Sequence, residues 1–165
     1  MAKSKASLGL DRRASDTKWY DVKMKIHIVT VGSPKLDYAK AGWQEYIGRL
    51  EHYHQLRVSH VPDKHNDSGH LLAAAKASYL VVLTIDGPQY TSHSLALFLE
   101  RRAQAGQEVC FMIGGPDGLP EAVIEAADQQ LGLSSLTFPH DLAMVVLAES
   151  LYRASTINDN QPYHR

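Results

Sequence analysis

Hydrophobic residues recur along this chain in two alternating patterns, short continuous runs and longer stretches with a spacing of three to four. The runs at residues 25–31, 79–85 and 108–113 are typical of strands covered on both faces of a parallel sheet. We predict strands at residues 25–31, 56–61, 79–85, 108–113 and 133–138, and helices at 36–53, 71–77, 92–105, from Pro120 and from Asp141. This alternation predicts an α/β fold with a mostly parallel sheet of about five strands.

The character of the sequence changes abruptly at Met24. Residues 1–23 show no hydrophobic periodicity and mix Lys, Arg, Ser and Asp, whereas an apolar strand follows directly. We therefore expect a domain at residues 24–165, preceded by a disordered arm, an expression tag or an upstream-start extension. Six of the 17 Lys and Arg residues and three of the 18 acidic residues precede Met24, which leaves the domain a net charge of −4. Because free-standing nucleic-acid binders are usually basic, charge alone argues mildly against RNA or DNA.

The composition excludes several classes of protein. No apolar run approaches the roughly 18 residues that a membrane span needs, so no membrane association is expected. The single cysteine, Cys110, cannot form an intramolecular disulfide, and its apolar neighbours indicate a buried thiol in a reducing cytoplasm. His52 and His54 lie two residues apart at a helix end and face different ways, and no Cys/His cluster predicts a metal site.

The other histidines are expected to be solvated or exposed, with one exception. His27 alternates with core residues and is expected at an exposed sheet edge, while His60, His65 and His70 flank a polar turn. His140 either caps the last helix or lines a ligand loop.

Three predicted strand ends carry residues suited to a ligand: residues 85–87, 113–118 and 134–138. In open parallel sheets, ligands sit outside the carboxyl ends of the strands. Gly114, Gly115 and Gly118 let the backbone approach a flat ligand closely. This loop matches neither a dinucleotide fingerprint nor a phosphate-binding Walker sequence. A tight strand-to-helix turn without a ligand is the open alternative.

The C-terminal helix is apolar around nearly its whole circumference, and a chain of this size has little mass to cover it. A subunit interface is therefore expected. Glu149 and Arg153 lie four residues apart, so Arg153 either forms a helix ion pair or serves a site. The terminus, residues 162–165, combines aromatic, imidazole and guanidinium groups and is expected to be held against a site.

Several motifs along residues 24–165 together resemble the RlmH family of the SPOUT superfamily. They are Val31-Gly32 at the end of the first strand, Gly114-Gly115-Pro116-x-Gly118-Leu119, Leu136-Thr137-Phe138-Pro139-His140, Ala148-Glu149-Ser150-Leu151-Tyr152-Arg153-Ala154 and Pro162-Tyr163-His164. Each motif is weak alone, whereas the ordered set is highly specific.

The resemblance implies a SPOUT-type, mostly parallel sheet of five to six strands, with helices on both faces and a C-terminal trefoil knot. It also implies a homodimer that uses S-adenosylmethionine to methylate N3 of a pseudouridine in 23S rRNA, on assembled ribosomes. No metal is implied.

The resemblance also implies the site residues. Those assigned to the cofactor are Ile85, Gly114, Leu133, Ser134, Ser135, Leu136, Thr137 and Phe138. The catalytic candidates come from the C-terminal end: His164 as proton acceptor or substrate orienter, Arg153 as a stabiliser of developing negative charge, and Tyr163 as a base-stacking or tail-ordering group.

Two departures from the family pattern concern RNA binding. Met144 stands where the family usually has an arginine. The family also often has a longer segment that contains Lys and Glu-Gly, whereas residues 62–70 of this chain are shorter and lack that motif. A basic patch is expected to assist recognition. Its candidates are Lys35, Lys40, Arg49, Arg153 and Arg165, with Lys3, Lys5, Arg12 and Arg13 of the N-terminal segment.

Two other functions compete with the methyltransferase hypothesis. A cofactor-binding dimer without catalytic activity could act as a ribosome-assembly factor. An α/β enzyme for a small acyl or phosphoryl substrate is disfavoured, because the chain has no G-x-S-x-G elbow and no Lys in the glycine loop.

Overall fold

Strands and helices alternate along the chain as the hydrophobic pattern predicts. The computed structural model describes residues 23–165. The strands are β1 (Lys25–Val31), β2 (Gln55–Val61), β3 (Tyr79–Leu83), β4 (Val109–Ile113) and β5 (Gln129–Leu131), and the helices are α1 (Asp37–Leu50), α2 (Ser68–Ala74), α3 (Ser92–Gln104), α4 (Glu121–Ala126) and α5 (His140–Asn158). Apart from Lys23, the N-terminal segment lies outside the described residues, and its assignment as an arm, tag or extension stays a prediction.

All five strands pair in parallel, in the order β2-β1-β4-β3-β5. The α/β class and the parallel sheet are therefore confirmed. Because parallel strands all end at the same edge, the loops after β1, β3 and β4 gather there. The trefoil knot stays a prediction.

Both faces of the sheet are covered, which accounts for the continuous apolar runs. Ile26 and Ile28 of β1 face the core shared with α1, α3 and α5. Val29 and Val31 face the opposite core, beneath α2 and α4. Cys110 lies in this second core, and its complete burial raises the pKa of its thiol to about 12. The prediction of a buried, free cysteine is confirmed.

The prediction of an exposed His27 is wrong. β1 lies between β2 and β4, so His27 is an interior residue with 1% exposure. Its Nε2 lies 2.8 Å from the hydroxyl of Ser59 on β2. Burial lowers the pKa of His27 below its usual value, which favours a neutral ring in the core.

The last strand is not at residues 133–138 but at Gln129–Leu131, where it pairs with β3. Residues 133–138 form a loop, and Leu136 within it is 71% exposed. The apolar residues of this segment, Leu133, Leu136 and Phe138, line a cavity and do not pack in a strand.

The helices begin within one residue of the predicted starts, except α2. Helix α3 begins at Ser92 as predicted, and the side chain of Thr91 caps it by accepting a hydrogen bond from the backbone of Ser94. Helix α2 begins at Ser68 under a cap from Asp67, three residues earlier than expected. Among the helices of residues 23–165, none has the length and apolar character of a membrane span.

Candidate functional site

A cavity of about 360 Å³ lies at the carboxyl edge of the sheet. Its walls come from the loop after β3, the glycine loop after β4 and the loop that precedes α5. The lining residues are Leu83, Thr84, Ile85, Ile113, Gly114, Gly115, Pro116, Asp117, Gly118, Leu119, Leu133, Ser134, Leu136, Thr137, Phe138, His140 and Ala143. The predicted convergence of these three segments is therefore observed.

The glycine loop folds back on itself at the cavity wall. The backbone N–H of Gly118 donates to the carbonyl of Gly115 at 2.9 Å, and Gly118 has a φ of +79°. A Cβ on Gly114 would lie 2.6 Å from the carbonyl carbon of Gly118. Glycine is thus required at position 114 for steric reasons and at position 118 for backbone conformation. The loop is a tight turn that also presents bare backbone to the cavity.

Two large apolar side chains line the cavity while remaining open to solvent. Ile85 is 64% exposed and Leu136 is 71% exposed. Covering such groups with an apolar ligand surface contributes roughly 25 cal/mol per Å². The cavity therefore suits a ligand with a flat or apolar part, held by backbone groups.

Below the cavity, the loops after β3 and β5 cross at two glycines that the sequence analysis did not assign to this role. A Cβ on Gly87 would meet the backbone of Gly132 at 2.8 Å. The N–H of Gly132 donates to the carbonyl of Pro88, and Gly132 bridges Gln89. This contact fixes the loop of residues 133–138 relative to Ile85.

The start of α5 ties the cavity to the beginning of the chain. One oxygen of Asp141 accepts hydrogen bonds from the backbone N–H groups of Lys35 and Leu36, both at 2.7 Å. Burial alone would raise the pKa of Asp141, but these two bonds and the neighbouring His140 together outweigh it, and the pKa is lowered. Pro139 occupies the cap position of α5, so His140 lines the cavity and does not cap the helix. Among residues 23–165, nothing hydrogen-bonds its buried Nε2.

Seven of the eight residues assigned to the cofactor line this cavity: Ile85, Gly114, Leu133, Ser134, Leu136, Thr137 and Phe138. Ser135 belongs to the same loop but is not part of the lining. Ser134 has a local role as well, because its hydroxyl accepts a hydrogen bond from the N–H of Leu136 at 3.0 Å.

The three catalytic candidates lie together at the other end of α5, around Glu149. Arg153 donates to Glu149 Oε1 from Nε at 3.0 Å and from Nη2 at 2.5 Å. Tyr163 donates to the same oxygen at 3.1 Å, and Arg153 Nη1 lies 3.4 Å from His164 Nδ1. We call Glu149, Arg153, Tyr163 and His164 the C-terminal cluster. The ion pair offered as an alternative for Arg153 thus exists, within a larger group of polar contacts.

Aromatic rings hold the end of the chain against the domain. Tyr163 packs edge-on against Tyr152 at 4.7 Å, and its hydroxyl lies 3.4 Å from that of Tyr46. Burial, followed by the bonds to Tyr46 and Glu149, raises the pKa of Tyr163 far above its usual value. His164 meets His93 of α3 edge-on at 4.9 Å. The chain end is thus ordered, as its composition predicts.

Within one chain, the C-terminal cluster does not reach the cavity. Its members are absent from the lining in the described part of the chain. Arg153 follows His140 by 13 residues of continuous helix, which corresponds to about 20 Å along the axis. In a single chain, the last residues, which we expected to be held against a site, therefore lie outside this cavity.

The basic candidates for RNA contact are mostly neutralised by nearby carboxylates. Lys40 pairs with Asp37 at 3.4 Å, and Arg49 pairs with Glu45 at 2.5 Å on the same helix. Met144, at the position of the family's arginine, is completely buried. Lys3, Lys5, Arg12 and Arg13 lie outside the described residues.

Comparison with known proteins agrees with this architecture. The sequence model for the family described as predicted SPOUT methyltransferase matches residues 24–164. A ribosomal RNA large subunit methyltransferase H from Deinococcus radiodurans is 47% identical over 145 residues, which cover 86% of this chain and 99% of that protein. The protein of the same name from Deinococcus deserti is also 47% identical over 145 residues and is covered completely.

Solved structures with low sequence identity share the fold. A probable methyltransferase from Bordetella pertussis Tohama I aligns with a TM-score of 0.58 at 13% identity, over 80% of this chain and 95% of that one. A probable methylase family protein from Haemophilus influenzae Rd KW20 aligns with a TM-score of 0.56 at 12% identity, over 86% of this chain and 71% of that one. The family match over residues 24–164 and the two relatives at 47% identity show that the chain belongs to the RlmH family of SPOUT methyltransferases.

Proposed function

We propose that this protein transfers a methyl group from S-adenosylmethionine to N3 of a pseudouridine in 23S rRNA. It acts as a homodimer on assembled ribosomes, in the cytoplasm. The observation that carries the proposal is the cavity at the carboxyl edge, whose lining coincides with the family's cofactor positions in a chain 47% identical to ribosomal RNA methyltransferases.

The lining fits the cofactor in shape and chemistry. Gly114, Gly115 and Gly118 contribute backbone without side chains to the cavity wall, which suits contact with a flat adenine ring. Ile85 and Leu136 offer apolar cover at the mouth. When bound, S-adenosylmethionine supplies a methyl group on a positively charged sulfur, which needs no further activation by the protein. The protein's tasks are therefore to align the base with the methyl carbon and to accept its proton.

A homodimer would complete the site. The separation of about 20 Å along α5 places the C-terminal cluster out of reach of its own cavity. Leu142 and Val146 of α5 are only half-buried, although they are apolar. Pairing of two copies through this face, with the two α5 helices running in opposite directions, would bring each C-terminal cluster to the partner's cavity.

Each member of the cluster then has a separate task. His164 accepts the N3 proton or orients the base, because imidazole binds and releases protons near neutral pH. Arg153 stabilises negative charge on the base as N3 loses its proton. Tyr163 keeps the tail ordered and offers a ring for stacking. Glu149 holds Arg153 and Tyr163 in one geometry.

The test is transfer of a labelled methyl group from S-adenosylmethionine to undermethylated ribosomes, with free 23S rRNA in parallel. We expect label in the ribosomes at a single pseudouridine and much less label in free rRNA. The variant His164→Ala should lose turnover and keep its cofactor affinity. Cofactor binding without transfer would favour an assembly factor, and no binding of S-adenosylmethionine would overturn the proposal.

A further inference from the structure

The segment that joins β2 to α2 brings two histidines and an aspartate together. One ligand atom from each of His65, Asp67 and His70 lies within 4.8 Å of the other two. From the sequence, these histidines were expected to be solvated residues beside a polar turn. They also fall in the short stretch, residues 62–70, that departs from the family pattern, so the proposed methyl transfer gives them no task.

The geometry of the three side chains is compact. Asp67 Oδ2 lies 2.7 Å from His70 Nδ1, and the rings of His65 and His70 stack with centroids 4.1 Å apart. The His70 and Asp67 side chains are 56% and 51% exposed. An ion placed between them would therefore keep contact with water, which can fill the remaining coordination positions.

The surrounding backbone holds the carboxylate in place. Asp67 Oδ1 accepts the backbone N–H of His70 at 3.0 Å as the cap of α2. The other oxygen, Oδ2, contacts His70 Nδ1, and a bound ion would take the place of that contact. On the other side, the Asn66 amide donates to the carbonyl of Gly118 at 3.2 Å. The cluster is thus anchored both to a helix and to the glycine loop.

We infer that His65, Asp67 and His70 form a binding site for a divalent transition metal ion of the Zn²⁺ class. Two imidazoles and one carboxylate are ligands that suit Zn²⁺, whereas Mg²⁺ and Ca²⁺ prefer oxygen ligands alone. Zinc requires ligand distances of about 2.0–2.2 Å, so the ligand atoms, which lie within 4.8 Å of one another, would close in by rotation of the side chains. The site is separate from the proposed methyl transfer and does not depend on it.

The experiment is a calorimetric titration of the metal-depleted full chain with Zn²⁺, in a form without a histidine tag. We expect one ion per chain and a rise in melting temperature with Zn²⁺. His70→Ala and His65→Ala should each weaken binding more than about tenfold, because a three-ligand site loses one donor. Asp67→Asn should weaken it as well, while the asparagine still caps α2.

His52→Ala is the matched control, since His52 is an exposed histidine outside the cluster. It should bind Zn²⁺ like the unchanged chain. The inference is overturned if the unchanged chain binds no Zn²⁺, if Mg²⁺ binds equally well, or if His65→Ala and His70→Ala bind normally. Loss of binding in His93→Ala instead would move the site to the His93–His164 ring pair and also overturn it. Melting curves without metal show whether each variant is folded.

Discussion

Arg153 donates two hydrogen bonds to a single oxygen of Glu149, and that oxygen also accepts one from Tyr163. Both ion-pair partners are mostly buried, with side chains 30% and 23% exposed. The Glu149 hydrogen bond is the main reason that the pKa of Arg153 is raised. One carboxylate therefore sets the position of two proposed catalytic groups.

Glu149→Gln should reduce methyl transfer by about tenfold or more, because a small displacement of Arg153 and Tyr163 from their working positions lowers the reaction rate strongly. Affinity for S-adenosylmethionine should stay within about twofold, because Glu149 is not part of the cavity lining that we assign to the cofactor. Glu45→Gln is the matched control: it breaks the ion pair of the same spacing between Glu45 and Arg49 on α1. Equal turnover in the two variants would contradict the positioning role of Glu149.

The exposed apolar mouth of the cavity can be tested without unfolding the protein. Leu136→Asp places a charge where we expect an apolar ligand surface, and it should weaken S-adenosylmethionine binding by more than about tenfold. The melting temperature should change little, because Leu136 is 71% exposed. Leu97→Asp on α3, at an exposed leucine outside the cavity, should leave cofactor affinity unchanged in calorimetry. Equal affinities of the two variants would remove Leu136 from the site.

Asp141 should make stability depend on pH in the acid range. Its folded-state pKa is lowered, so its stabilisation is complete above the unfolded-state value of about 3.9 and is lost as pH falls through the lower folded value. Asp141→Asn should cost about 1 to 3 kcal/mol at pH 7, because the bonds to Lys35 and Leu36 lose their charge. Urea unfolding should show the difference shrinking towards pH 3. Asp37→Asn, at a fully exposed aspartate, serves as the control.

His54 should make the free energy of unfolding depend on pH in a higher range than Asp141 does, because its neutral ring is the stabilising form. Ser155 donates its own proton to the Leu151 carbonyl, so it accepts one from His54 Nε2 at 2.7 Å. Burial lowers the pKa of His54 to about 4. As pH falls, His54 is protonated in the unfolded chain at a higher pH than in the folded chain. Its contribution to the free energy of unfolding is therefore complete above about pH 6.5 and decreases by roughly 2 to 3 kcal/mol towards pH 4.

His54→Gln should remove that part of the pH dependence, whereas His52→Gln, at an exposed histidine two residues away, should retain it. Thermal unfolding at pH 7, 6, 5 and 4 provides the comparison. A slope that is the same in both variants would show that His54 titrates normally.

Features that arise between residues close together in the chain could be predicted from the sequence. β1, β3 and β4 are buried on both faces, and continuous apolar runs indicate such strands directly. The close turn at Gly114 and Gly118 follows from glycine spacing after a strand. The helix pair Glu149–Arg153 is likewise a local relationship.

Relationships between distant parts of the chain were not readable. The burial of His27 depends on the strand order, which no local pattern specifies. Asp141 meets the backbone of Lys35 across 106 residues. Residues 133–138 were predicted as a strand, but the crossing of Gly87 and Gly132 directs them to the cavity. The distance between the cavity and the C-terminal cluster appears only once α5 is seen as one unbroken helix.

The most direct test of the shared active site combines two inactive variants in one dimer. Leu136→Asp impairs the cavity, and His164→Ala impairs the C-terminal cluster. If each site joins one chain's cavity to the partner's cluster, co-expression of the two variants restores about a quarter of normal methyl transfer to ribosomes, since half of the dimers carry one intact site. Activity no higher than that of the separate variants would contradict this account.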